Sequence, residues 1–282
     1  MVRSYTLGLY EKSMPSILTW REKLTAAREA GFDFVEISID ETDEKLARLD
    51  MSQRERIRLL QIMKETQMPI RTMCLSGHRK YPLGSSDPVI CRRSMEIMEK
   101  AIQLADDLGI RIIQLAGYDV YYEESTPKTV TRFAENLKKA TMLAARAGVV
   151  LGFETMETGF MNSVKKAMDY VQLINSSYLN VYPDMGNITN AAVENGTDVL
   201  EDIKLGVGHT VAAHLKETVP GKFREIPFGT GHVDFKAVIH AAWEIGVRKY
   251  VTEFWYVGSL DWKKELKEVY EMMSKLLDEE DR

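Results

Sequence analysis

Ala147-Gly148-Val149-Val150-Leu151-Gly152-Phe153-Glu154 reads as three events in eight residues. A helix ends, a short apolar strand runs, and an acid stands at the strand's far end. Gly148, after the helical run 129–147, fits the left-handed position that closes a helix. The same device recurs at Ala30-Gly31-Phe32-Asp33-Phe34-Val35 and Leu108-Gly109-Ile110-Arg111-Ile112, and Gly246 stands in an equivalent place. No other similarity between these units is evident, so the recurrence is structural.

Outward from that stretch, short apolar runs alternate with longer amphipathic ones. Strands are expected over 5–10, 34–39, 70–75, 110–116, 149–154, 179–183, 211–216 and 250–254. Helices are expected over 16–30, 52–66, 88–108, 129–147, 163–174, 199–205, 235–245 and 262–277. Eight of each predict an α/β chain forming a single (β/α)8 TIM barrel across residues 1–282. The acidic tail 278–282 is expected to be frayed and solvated. In such a barrel function collects on the loops after the strands, and here those loops are rich in charged, amide and aromatic groups.

Composition excludes several classes. A net charge of −5 disfavours a nucleic-acid partner, which calls for a basic surface. Cys74 and Cys91 form no CxxC pair, which argues against a disulfide scaffold or a cysteine zinc site. Met1-Val2-Arg3-Ser4-Tyr5 enters a strand-like run without a signal-peptide core, and no apolar run is long enough to cross a membrane. The expectation is a cytoplasmic protein without a membrane or nucleic-acid partner, with a homodimer as the commonest closed assembly.

Four residues close four consecutive apolar runs: Glu154, Asp184, His214 and Glu253, spaced 30, 30 and 39 residues apart. Each interval fits a strand, a loop and a helix, so the four side chains should converge at one end of a parallel sheet. Glu154 alone could be an acid at a helix N-terminus, and Asp184 alone a turn residue. Together the four make an oxygen and nitrogen ligand set for one divalent metal ion such as Mn, Mg, Co or Zn. Lys12, Ser76, His78, Arg79, Asn187 and Arg224 supply donors and cations for a phosphate ester on the same face. Glu36, inside an otherwise apolar strand, points either into the barrel mouth or toward a basic neighbour on the helix side. His209 reads as structural and His240 as a surface or packed mid-helix residue, while His232 either approaches a ligand or belongs to a glycine-shaped loop.

Longer motifs carry a resemblance. The first half contains Gly8-Leu9-Tyr10-Glu11-Lys12, Gly31-Phe32-Asp33-Phe34-Val35-Glu36, Cys74-Leu75-Ser76-Gly77-His78-Arg79 and Ile113-Gln114-Leu115-Ala116-Gly117-Tyr118-Asp119. The second contains Tyr182-Pro183-Asp184-Met185-Gly186-Asn187 and Ile226-Pro227-Phe228-Gly229-Thr230-Gly231. Together they resemble the L-ribulose-5-phosphate (L-xylulose-5-phosphate) 3-epimerases of the xylose-isomerase-like TIM barrels. The resemblance implies a divalent metal on Glu154, Asp184, His214 and Glu253, a small-molecule ketose phosphate as substrate, and a place in ascorbate or pentose utilisation. The wider family's sugar 3-epimerases carry a His where this chain has Asn187, and an Arg for which Arg224 is an approximate counterpart.

The residues permit epimerisation at C3, with Glu154 and Glu253 as an acid/base pair on opposite faces of an enediolate and also as metal ligands. An aldose–ketose isomerase of the hexulose-6-phosphate isomerase kind is the alternative enzyme. A non-catalytic sugar-phosphate-binding barrel is the alternative from another class.

Overall fold

The computed structural model describes residues 3–282; Met1 and Val2 of the N-terminal segment lie outside the described residues. The strands are β1 (Thr6–Tyr10), β2 (Phe34–Ile39), β3 (Ile70–Leu75), β4 (Ile112–Ala116), β5 (Val150–Glu154), β6 (Leu179–Val181), β7 (Ala213–Leu215) and β8 (Lys249–Thr252). All pair in parallel in the order β6-β5-β4-β3-β2-β1-β8-β7. Two isolated parallel bridges, Val181↔Thr210 and Asp184↔His214, join β6 to β7 and close the barrel.

The helices are α1 (Trp20–Ala30), α2 (Asp43–Leu46), α3 (Gln53–Thr66), α4 (Pro88–Leu108), α5 (Pro127–Ala147), α6 (Val164–Ile174), α7 (Met185–Asn195), α8 (Val199–Lys204), α9 (Phe235–Glu244) and α10 (Trp262–Glu280). Two of them, α2 and α7, were not expected. The run 185–187, read as a loop, is the first turn of α7. That helix is buried from Met185 to Ala192, so it has no polar face to generate an amphipathic period. Helix α1 starts at Trp20 rather than residue 16 because Thr19 and Glu22 form a capping box there.

The acidic tail is a second correction. It continues α10 to Glu280 and is docked. Tyr5 Oη donates to Asp278 (2.7 Å), Ser4 N to Asp281 (3.0 Å), and Glu280 pairs with His240. Its acids have partners, so the end does not fray. Among the described residues no helix is long and apolar enough to cross a membrane.

Outward-facing strand residues such as Leu7, Val35, Ile37 and Leu151 join the helices in the main core. Inside the barrel a smaller cluster includes Tyr10, Phe34, Cys74, Tyr182 and Val251. Gly152 makes room for it, because a Cβ there would lie 2.9 Å from that of Tyr182.

Candidate active site and metal centre

Strand register brings the four spaced residues together. Glu154 ends β5, opposite Ala116 of β4. Asp184 stands just past β6, with its backbone N donating to Thr155 Oγ1 (2.9 Å), and it bridges directly to His214 on β7. Glu253 follows β8 and donates its backbone N to Leu215 O (2.9 Å). One ligand atom from each of the four lies within 4.8 Å of the others, and all four residues are buried. Glu154 is no helix cap, since α6 begins ten residues later with Ser163 in that role. Asp184 serves twice. Its Oδ1 caps α7 by accepting from Asn187 N (2.7 Å), which leaves Oδ2 for the cluster.

Glu36 points inward and supports His214 from below. With the imidazole proton on Nε2, the ring donates to Glu36 Oε1 (2.6 Å), and Tyr182 Oη donates to Glu36 Oε2 (2.9 Å). Tyr182 also packs edge-on against the imidazole, at 5.0 Å between ring centroids. Nδ1 is thereby turned toward Glu253 (3.2 Å), Glu154 (3.8 Å) and Asp184 (3.9 Å). A carboxylate behind a histidine is the usual means of fixing the tautomer of a metal-binding ring. The bland alternative for Glu36, a basic partner on the helix side, does not apply.

Three carboxylates in one dry cluster repel one another. Burial first, then the Glu253 charge, pushes Glu154 up to about 8. Burial likewise raises Asp184 to about 7, against the pull of Lys216. Burial would raise Glu253 as well, but Lys216 and His214 outweigh it and hold that carboxyl well below the usual range. Asp184 Oδ2 faces Lys216 Nζ at 2.9 Å without a properly directed hydrogen bond, so it is charge-paired yet unsatisfied. An unsatisfied buried oxygen, two more carboxylates and an imidazole nitrogen fit a hard or borderline divalent ion. Glu154, Asp184, His214 and Glu253 can therefore hold one.

Above the cluster opens a cavity of about 240 Å³. Lys12, Ser76, Arg79, Asn187 and Arg224 line it, as do Glu154, Glu253 and Lys216. Arg79 and Arg224 converge on Glu157, at 3.7 and 3.6 Å, and Lys12 pairs with Asp40. Arg79 Nε and Asn187 Oδ1 are buried without hydrogen-bond partners.

His78 does not join them. It is buried against α4, with Nε2 3.1 Å from the Ser94 carbonyl, and burial lowers its pKa to about 4. A neutral ring aimed away from the cavity cannot hold a phosphate there. His232 meets Thr218 Oγ1 (3.0 Å), His209 Nδ1 lies 3.4 Å from Asn180, and exposed His240 pairs with Glu280. Sequence reading overlooked Lys216, whose ammonium lies 2.9 Å from Asp184 and 3.5 Å from Glu253. The available signal was its place two residues after His214, on the same strand-end face.

Comparison with known proteins agrees with this geometry. The model of the xylose isomerase-like TIM barrel family matches residues 24–276. The chain is 46% identical over 250 residues to L-ribulose-5-phosphate 3-epimerase UlaE of Salmonella heidelberg (strain SL476), covering 88% of this chain and 87% of that protein. It is equally similar to UlaE of Escherichia coli O157:H7. The solved structure of an L-ribulose 3-epimerase superposes with a TM-score of 0.77 at 19% identity, over 98% of this chain and 95% of that one. At that identity the structural likeness speaks for the fold.

Proposed function

Because this chain belongs to the L-ribulose-5-phosphate 3-epimerases of the xylose isomerase-like TIM barrel family, and so to the isomerase-class sugar epimerases, we propose that it interconverts L-ribulose 5-phosphate and L-xylulose 5-phosphate. The observation that carries the reading is the pairing of Glu154 and Glu253 in one buried cluster, brought from separate strands to the floor of the open cavity. Two carboxyls on separate strands are suited to acid and base roles on the two faces of a planar intermediate.

One glutamate removes the C3 proton next to the ketone, leaving a planar enediolate. The other delivers a proton to the opposite face, and C3 emerges inverted. Glu154 and Glu253 share the base and acid roles, which exchange in the reverse direction. Glu154, Asp184, His214 and Glu253 would hold a divalent cation, which would supply Lewis-acid stabilisation of the developing negative charge. Glu36 and Tyr182 keep His214 aimed at the cluster. Arg79 and Arg224 hold the phosphate at the rim, taking it in exchange for their shared partner Glu157, with Lys12 as the further cation. Asn187 Oδ1 accepts from a sugar hydroxyl.

Proton NMR of L-ribulose 5-phosphate in D₂O tests the reaction. Deuterium at C3 together with L-xylulose 5-phosphate is expected, and chelation should abolish both. An aldose product without C3 exchange would move the chemistry to C1–C2 isomerisation. Tight binding of the sugar phosphate without any exchange would make the barrel a binding protein. Arg79→Gln and Arg224→Gln should each raise KM about 10- to 100-fold, since each removes one charge-assisted contact. An unchanged KM would remove these arginines from the phosphate site.

A further inference from the structure

Lys216 stands one residue beyond β7 and is buried, yet among the described residues its only charged neighbours within 4 Å are Asp184 and Glu253 of the four-residue cluster. Nζ is 2.9 Å from Asp184 Oδ2 and 3.5 Å from Glu253 Oε2. Asp184 has little else to spare. Asp184 Oδ1 is committed to the N-terminus of α7, so Oδ2 is its free oxygen. Glu253 Oε2 already faces His214 Nδ1 at 3.2 Å. An ammonium and a divalent ion would therefore draw on the same Asp184 oxygen, Oδ2.

The contact is of a kind that can be given up. The Asp184 Oδ2 pair is a charge contact made by a flexible side chain. Lys216 also lines the open cavity, so its four-carbon stem has room to carry the charge elsewhere. A buried carboxylate cluster without a counter-charge is costly, whereas a flexible point charge can offset that cost and still withdraw.

We propose that Lys216 is the resident counter-cation of this centre, seated on Asp184 and Glu253 while no divalent ion is bound and displaced into the cavity when one binds. The proposal rests on the metal centre inferred above. It separates two tasks that the carboxylates alone would set in conflict, folding without metal and binding metal tightly. A fixed structural counter-ion would stabilise the protein equally with and without metal, whereas a displaced one matters mainly without it.

Melting of the full chain with EDTA and with saturating Mg²⁺, for wild type and Lys216→Met, distinguishes the two. The variant should melt about 5 °C or more below wild type in EDTA, yet within about 2 °C of it in Mg²⁺. Its Mg²⁺ affinity by calorimetry should rise about tenfold, as linkage between stability and binding requires. Folding of the variant only with Mg²⁺ would be the same result in stronger form. Equal losses in the two conditions, or failure to fold in both, would overturn the proposal.

In wild type, the lysine side-chain ¹⁵N signal assigned to Lys216 should shift on Mg²⁺ addition, and an unmoved signal would also overturn it. If wild type shows neither binding heat nor a melting rise with Mg²⁺ or Mn²⁺, the metal centre itself fails, and this role with it. If wild type binds metal and the variant behaves identically, only the role of Lys216 fails.

Discussion

Two clusters of buried charge sit at the same end of the barrel and are balanced in opposite ways. Around Glu11, one carboxylate meets Lys23 (3.3 Å), Lys45 (2.8 Å) and Arg48 (2.5 Å), and also accepts from Ser38 N (2.9 Å). Around His214, the carboxylates of Glu36, Glu154, Asp184 and Glu253 share one lysine and one imidazole. Burial acts on both, yet the cations pull Glu11 down to about 2, while Glu154 and Asp184 rise to about 8 and 7. The first cluster ties β1 and β2 to α1 and α2, and its cations do not line the cavity above the second. The second lies under an open cavity and holds an excess of negative charge. An unmatched surplus of carboxylates is the arrangement that a site, rather than a strut, would keep.

The largest effect should come from breaking the second cluster. Glu154→Gln and Glu253→Gln should each lower kcat by about 10³-fold or more, because each removes both a proton-transfer group and a ligand. Stability should not follow activity. Glu154 is raised by burial, so a neutral isostere removes a buried charge problem, and Glu154→Gln should melt no lower than wild type in EDTA. If both single variants keep most of their turnover, the acid/base assignment is wrong. A large fall in melting temperature for Glu154→Gln would instead make the cluster a structural one.

Glu11→Gln should do the reverse. It leaves Lys23, Lys45 and Arg48 buried without their shared counter-charge, at a cost of about 3–5 kcal/mol in denaturant unfolding. The folded fraction should still turn over substrate. The sign of the pH effect is definite. The folded pKa of Glu11, about 2, lies below the ordinary value of 4.5, so its stabilisation is complete above pH 4.5 and lost as pH falls from there toward 2. Wild type should lose stability through that window, and the variant should lose less. Loss of activity without loss of stability would place Glu11 in the site after all.

The barrel and the convergence of Glu154, Asp184, His214 and Glu253 were legible for one reason: both depend on periodic spacing. Glycine-closed helices and apolar runs repeat along the chain, and a ligand at the end of each of four consecutive strands needs no knowledge of side-chain contacts. What could not be read depends on packing. Helix α7 is buried almost all round and shows no period. The tail's acids are partnered by Tyr5, Ser4 and His240, which are distant in sequence. Lys216 has an ordinary lysine's sequence context, and only closure of the barrel seam through Asp184 and His214 puts its ammonium among carboxylates. His78 shares a turn with Arg79, but the single turn of 3-10 helix after β3 sends one side chain toward α4 and the other into the cavity. Residue type alone does not distinguish those directions.

His78 gives the smallest effect and the sharpest control on the comparison, because it is a buried titratable group whose only polar contact is the Ser94 carbonyl. Glu11 and Glu154 feel burial together with strong charges, whereas His78 feels burial nearly alone, and its pKa falls from 6.5 to about 4. The unfolded chain therefore binds a proton that the folded protein refuses. The stability this withholds is nil above pH 6.5 and grows as pH falls from 6.5 toward 4. At pH 5.5 the loss should be about 1.4 kcal/mol, on ordinary linkage arithmetic. Urea unfolding of wild type and His78→Leu at pH 8 and pH 5.5 would read it. The variant should lose less between the two pH values by about that amount, with activity at pH 8 retained. Identical pH responses would mean that His78 keeps its proton when folded. Burial at this end of the barrel would then be weaker than the high proton affinity of Glu154 requires, and the contrast between the two clusters would have to rest on charge counting alone.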